Sequence, residues 1–163
     1  LEYSVSTLKV KGISAPTGYN LQMPAGHIVQ VVSATYSTEV QTTSQSHSDT
    51  GLTATITPTS SSNKVLVIVN QNGLEKDNND IRFEVKLMRG SSNILIFAGD
   101  QTGNTSSALR IDIGGTGGTI LDSPSTTSAT VYKTRFRNVN SSGTISVNNG
   151  SAVSTITLME VAG

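Results

Sequence analysis

Few residues in this chain have side chains suited to chemistry. The two histidines are His27 and His47, and there is no cysteine or tryptophan. Around His47 the run Ser46, His47, Ser48, Asp49 has the composition of a nucleophile, base and acid. An extended chain sends alternate residues to opposite faces, so these neighbours cannot orient one another, and a triad needs its base held by a carboxylate from elsewhere in the fold. A polar loop entering a strand is the plainer reading. His27 follows Pro24 and Gly26 at a strand entrance, the place of a structural histidine rather than a metal ligand.

Glu75, Asp77, Asn78, Asn79 and Asp80 form an oxygen-rich run that calcium would tolerate. The weak calcium set is Glu75, Asp77, Asn79 and Asp80. It lacks the glycine and terminal glutamate of a helix-loop-helix calcium loop, and asparagine-rich hairpin turns look the same. Asp100 or Asp112 with Glu84 would be the carboxylates of a glycan-cleaving enzyme, although no spacing compels that pairing and the sugar platforms are scattered tyrosines. Gly114, Gly115, Gly117 and Gly118 invite a phosphate-loop reading, but Thr119, Ile120 and Leu121 follow where a helix should start. A flexible connection or a tight bend is expected there. Lys133, Arg135 and Arg137 alternate with Thr134, Phe136 and Asn138, placing three cations on one strand face: a solvated side, or a seam to acidic residues of another subunit. No catalytic residue, metal or cofactor is assigned.

The elements that position these residues read as strands. Apolar and β-branched runs recur at 27–38, 52–57, 64–70, 81–88, 93–98, 108–113, 129–137, 143–147 and 154–161, without helical periodicity. Phe83, Val85 and Leu87 share one face, opposite Arg82, Glu84, Lys86 and an anomalous Met88. Val65, Leu66, Val67, Ile68 and Val69 are unbroken apolar, so this central strand needs cover on both faces, from a second sheet and from a neighbouring element or subunit. Turn formers fall at 59–63, 77–80, 89–93, 100–107, 114–118, 138–143 and 148–151. The expected fold is all-β, an antiparallel β-sandwich of jelly-roll type, with a closed barrel as the alternative. Residues 1–25, interrupted by Pro16, Gly18 and Pro24, read as an extended arm or shaft-connecting segment, and 26–163 as the sandwich domain.

The chain of 163 residues is long enough for one core. Eleven basic and eleven acidic residues leave a formal net charge of zero, with no uniform field to gather phosphates or anionic lipid, so nucleic acid and membrane insertion are not expected. No apolar run approaches a membrane span. The opening at Leu1 instead of Met points to a processed product or an excised fragment.

Several segments in order resemble the C-terminal head domains of tail fibres and related virion surface proteins of tailed bacteriophages of marine and cyanobacterial hosts. They are Pro24-Ala25-Gly26-His27-Ile28-Val29-Gln30-Val31-Val32, Asp49-Thr50-Gly51-Leu52 leading to Thr55-Ile56-Thr57-Pro58, Ser60-Ser61-Ser62-Asn63-Lys64-Val65-Leu66-Val67, Val85-Lys86-Leu87-Met88-Arg89-Gly90, and Tyr132-Lys133-Thr134-Arg135-Phe136. The resemblance covers most of the chain after Pro24 and brings no invariant chemical site. It implies a non-enzymatic homotrimeric knob on the virion, joined to other virion proteins through the N-terminal arm and attaching to a host-surface glycan or protein. A capsid decoration (cement) protein is the alternative, since shaft repeats are missing, and a polysaccharide depolymerase comes third.

Overall fold

The computed structural model describes residues 17, 23–79, 81–102, 111–140 and 142–163, with backbone alone for 100–102. Most of the expected arm therefore lies outside the described residues. Among the described residues ten strands form two antiparallel sheets: β1 (Ile28–Tyr36), β2 (Val40–Thr42), β3 (Ser48–Ile56), β4 (Lys64–Lys76), β5 (Phe83–Arg89), β6 (Ser92–Thr102), β7 (Ile111–Asp122), β8 (Thr130–Asn138), β9 (Ile145–Val147) and β10 (Ser154–Val161). One sheet runs β1-β10-β4-β9-β2, with β7 on the other side of β4; the second runs β3-β8-β5-β6. This is a β-sandwich, and the two separate sheets answer the barrel alternative. Among the described residues no helix is long and apolar enough to cross a membrane.

Alternation decides what goes inside. Val65, Val67 and Val69 of β4 face Leu52, Ala54 and Ile56 of β3, with Leu87, Tyr132, Ile156 and Leu158 completing a first buried cluster. A second holds Leu74, Ile81, Phe83, Val85, Ala98, Phe136, Ile145 and Val147. Between them, on the same inner faces, lies a buried polar layer. Gln71 Nε2 donates to Asn148 Oδ1 and Ser154 Oγ at 3.0 and 2.8 Å, while its Oε1 accepts from Thr134 Oγ1 at 2.9 Å. Thr50 meets Thr134, and Asn148 Nδ2 donates to Thr38 O. Every donor aimed inward finds an acceptor, which is what allows five polar side chains inside a sandwich.

Three expectations are corrected. Gly114 to Gly118 is no bend but the middle of β7, paired along β4. The glycines are there for close approach: a Cβ on Gly118 would stand 2.7 Å from Leu95 Cδ2, and one on Gly117 would run into Asn70 Oδ1 and the Val69 carbonyl. The strand expected to end at residue 70 continues to Lys76, through a register shift at Gly73, because β7 and β9 both pair with its far half. Asp100, expected in a turn, belongs to β6, which extends to Thr102. Met88, the apparent error on the polar face of β5, is 5% exposed and lies opposite Lys133.

Candidate functional site

The two outward faces differ in chemistry. On the β1-β10-β4-β7 sheet, pairing aligns Val31, Met159, Leu66 and Leu121 in one row. The next row is Ser33, Thr157, Ile68 and Thr119, and the third is Thr35, Thr155, Asn70 and Gly117. None of these twelve positions is charged. Val31 and Leu121 are 57% and 49% exposed, and Ile28, at 47%, extends the apolar patch beside Val161. Among the described residues of these strands, charge on this face appears only at the ends, with Lys64 opposite Val161 and Glu75 opposite Asp112.

The opposite face, on β3, β8 and β5, carries Asp49, Lys133, Arg135, Arg137, Glu84 and Lys86. Lys133 Nζ reaches Asp49 Oδ2 at 2.8 Å and Arg135 Nε lies 2.9 Å from Asp49 Oδ1. Arg137 donates to Glu84 Oε2 at 2.8 Å, and His47 Nε2 lies 2.7 Å from Glu84 Oε1. The cations expected as a solvated face or an intersubunit seam are thus paired within their own chain. Burial works against charge on both His47 and Glu84. For His47 it prevails over the Glu84 hydrogen bond and holds the pKa below the ordinary value, with help from Lys86 and Arg137. For Glu84 it is outweighed by hydrogen bonds from Arg137 and His47, which hold the carboxyl below its ordinary range.

This places the sequence candidates. His47 pairs with Glu84, while its neighbour Asp49 turns to Lys133 and Arg135, so the Ser46 to Asp49 run is not assembled as a triad. His27 Nδ1 bonds the Pro24 carbonyl at 2.7 Å, as a structural residue would. In the calcium run, Asp77 Oδ1 accepts from the Thr144 amide, Asn78 Oδ1 accepts from the Asn79 amide, and Glu75 sits in β4 opposite Ser146 and Asp112; Asp80 lies outside the described residues. Among the described residues no group of three or more acidic or histidine side chains is arranged to hold a metal. Glu84 and Asp112 lie on different sheets, and the Asp100 side chain is outside what is described. No family model and no curated protein matches the chain.

Sequence reasoning missed two fully buried anchors. Glu160 accepts from Gln30 Nε2, the Thr59 amide and hydroxyl, and Asn63 Nδ2. Burial alone would raise its pKa, but these hydrogen bonds bring it down to about 2. Its place at an inward position of β10, between Leu158 and the chain end, was the available signal. The second is Tyr132, whose hydroxyl donates to Asp122 Oδ2 at 2.7 Å beside Arg89. Burial first, and then the Asp122 carboxylate, hold that phenol protonated well above its ordinary pKa.

Proposed function

We propose that this chain is the head of a virion surface fibre: a non-enzymatic homotrimer that attaches the particle to its host. The observation that carries the reading is the charge-free outer face of the β1-β10-β4-β7 sheet. A sheet face turned to water normally alternates to polar and charged residues, whereas this one is a row of aliphatic side chains followed by threonines and glycine. Its occupant is another copy of the chain. Around a threefold axis each copy offers one part of this face to one neighbour and another part to the other, and a face with no charge strands none at either contact; the glycine and threonine rows are low enough for a second backbone to approach.

Four strands and about eight residues of length make a footprint of about 500 Å², just under about 600 Å² per partner, the small end of specific interfaces, so flanking elements add to the contact. The strand order, β1-β10-β4-β7 against β3-β8-β5-β6, supports a jelly roll, and the resemblance to trimeric fibre heads sets the copy number at three. Light scattering tests this directly. A stable mass near three times 17.0 kDa is expected, together with labelling of marine bacterial or cyanobacterial cells by the fluorescent protein. A monomer at all concentrations overturns the trimer, and the absence of labelling across a broad cell panel overturns attachment.

A further inference from the structure

With one sheet covered by copies of the chain, the outer face of the other sheet is what a fibre head presents outward. We infer that this face, at the β3–β8 junction, binds an anionic polysaccharide. The inference rests on the attachment reading for its ligand class, and on the geometry below for its location.

The ladder between β3 and β8 breaks at one place. Asp49 pairs with Arg135 and Thr53 with Lys133, so three residues of β3 oppose Thr134 alone. Gly51, at φ +90°, makes the detour possible. Bulges of this kind re-aim side chains and open the surface. Here the result is a depression of about 370 Å³ meeting a second of about 330 Å³ at Val131, which lines both. The first is walled by Arg89, Pro124 and Thr126, the second by Asp49, Thr53 and Lys133. Val131, 39% exposed, supplies an aliphatic surface for the C–H face of a sugar ring, with hydroxyl and charged groups on either side for its oxygens. Two adjoining depressions suit successive units of a chain better than one small molecule.

Charge specifies the acid. Among the described outward positions of β3, β8 and β5, four cations, Lys86, Lys133, Arg135 and Arg137, stand against two carboxylates, Asp49 and Glu84, an excess of two positive charges in a chain whose formal total is zero. Asp49 is already shared between Lys133 and Arg135. Lys86, opposite Arg135 in the ladder, makes no ion pair among the described residues. Alternate residues place Lys133, Arg135 and Arg137 about 6.7 Å apart along β8, a regular row that a polymer bearing periodic carboxylates can meet at more than one point.

The test is titration calorimetry with polygalacturonate and with neutral dextran, on the wild-type protein and on Lys86→Gln/Lys133→Gln. Both lysines are surface groups, and circular dichroism checks that the variant stays folded. Polygalacturonate should bind, weaken with added salt, and bind the double variant about tenfold less well, with dextran about tenfold weaker than the acidic polymer on wild type. No binding of polygalacturonate, equal binding by the variant, or equal binding of dextran overturns the inference. Cell labelling separates the two readings: protein that labels cells but ignores polygalacturonate loses this site and keeps attachment, while protein that binds the polymer and labels no cell keeps the site and loses attachment.

Discussion

The two outward faces of the sandwich are built from the same alternation and reach opposite ends of surface chemistry. On β3, β8 and β5, outward positions hold Asp49, Lys133, Arg135, Arg137 and Glu84, knitted into ion pairs, with Lys86 beside them. On β1, β10, β4 and β7 the equivalent positions hold Val31, Met159, Leu66, Leu121 and a field of threonines. The contrast teaches that a strand pattern reports how many faces need cover, not which partner covers them. β8 alternates because one of its faces stays wet. β4 does not, because its inner valines pack on β3 while Leu66 and Ile68 remain half-buried on the outside.

The sharpest way to break the comparison is to put charge on the uncharged face. Val31→Glu with Leu121→Glu alters two exposed positions that the isolated subunit tolerates, so the subunit should stay folded while the mass by light scattering falls threefold to that of one chain; an unpaired charge buried between copies costs about 3–5 kcal/mol. An unchanged mass would remove this face from the interface.

The layer between the faces comes next. Gln71→Ala strips partners from Asn148, Ser154 and Thr134 at once and should lower stability by about 3 kcal/mol in chemical denaturation. Glu160→Gln should lose about 2 kcal/mol, since an amide cannot accept all the donors that converge there. Because the folded pKa of Glu160 is depressed from 4.5 to about 2, its contribution is complete above pH 4.5 and disappears as pH falls toward 2. Wild type should therefore lose stability across that window, and Glu160→Gln should lose less. Smallest is Asp49→Asn, which breaks exposed pairs with Lys133 and Arg135 and should change stability by under about 1 kcal/mol without altering mass.

The β-sandwich was legible because most strands carry their own period. Residues 154–161 match β10 residue for residue, and the segments around Val65 and Phe83 face inward as their spacing requires. The glycines of β7 were not legible as a strand, since their reason is the nearby Leu95, Phe97 and Asn70, all distant in sequence. The three-residue β2 was likewise invisible, existing only because β9 offers it an edge. For the candidate sites, the cation row on β8 was visible as alternation, but its partners Asp49 and Glu84 come from two other strands.

By itself, the sequence determined that this chain makes antiparallel sheets, which positions of β5 and β8 face inward, and that β4 carries more apolar surface than one core absorbs. These are consequences of local period, which each strand holds within itself. Tertiary structure alone decided that Val31, Met159, Leu66 and Leu121 lie in one row, that His47 answers to Glu84 instead of Asp49, and that Glu160 gathers donors from Gln30, Thr59 and Asn63. Those juxtapositions depend on register between segments as much as 130 residues apart, and register is set by the packing of the whole sandwich.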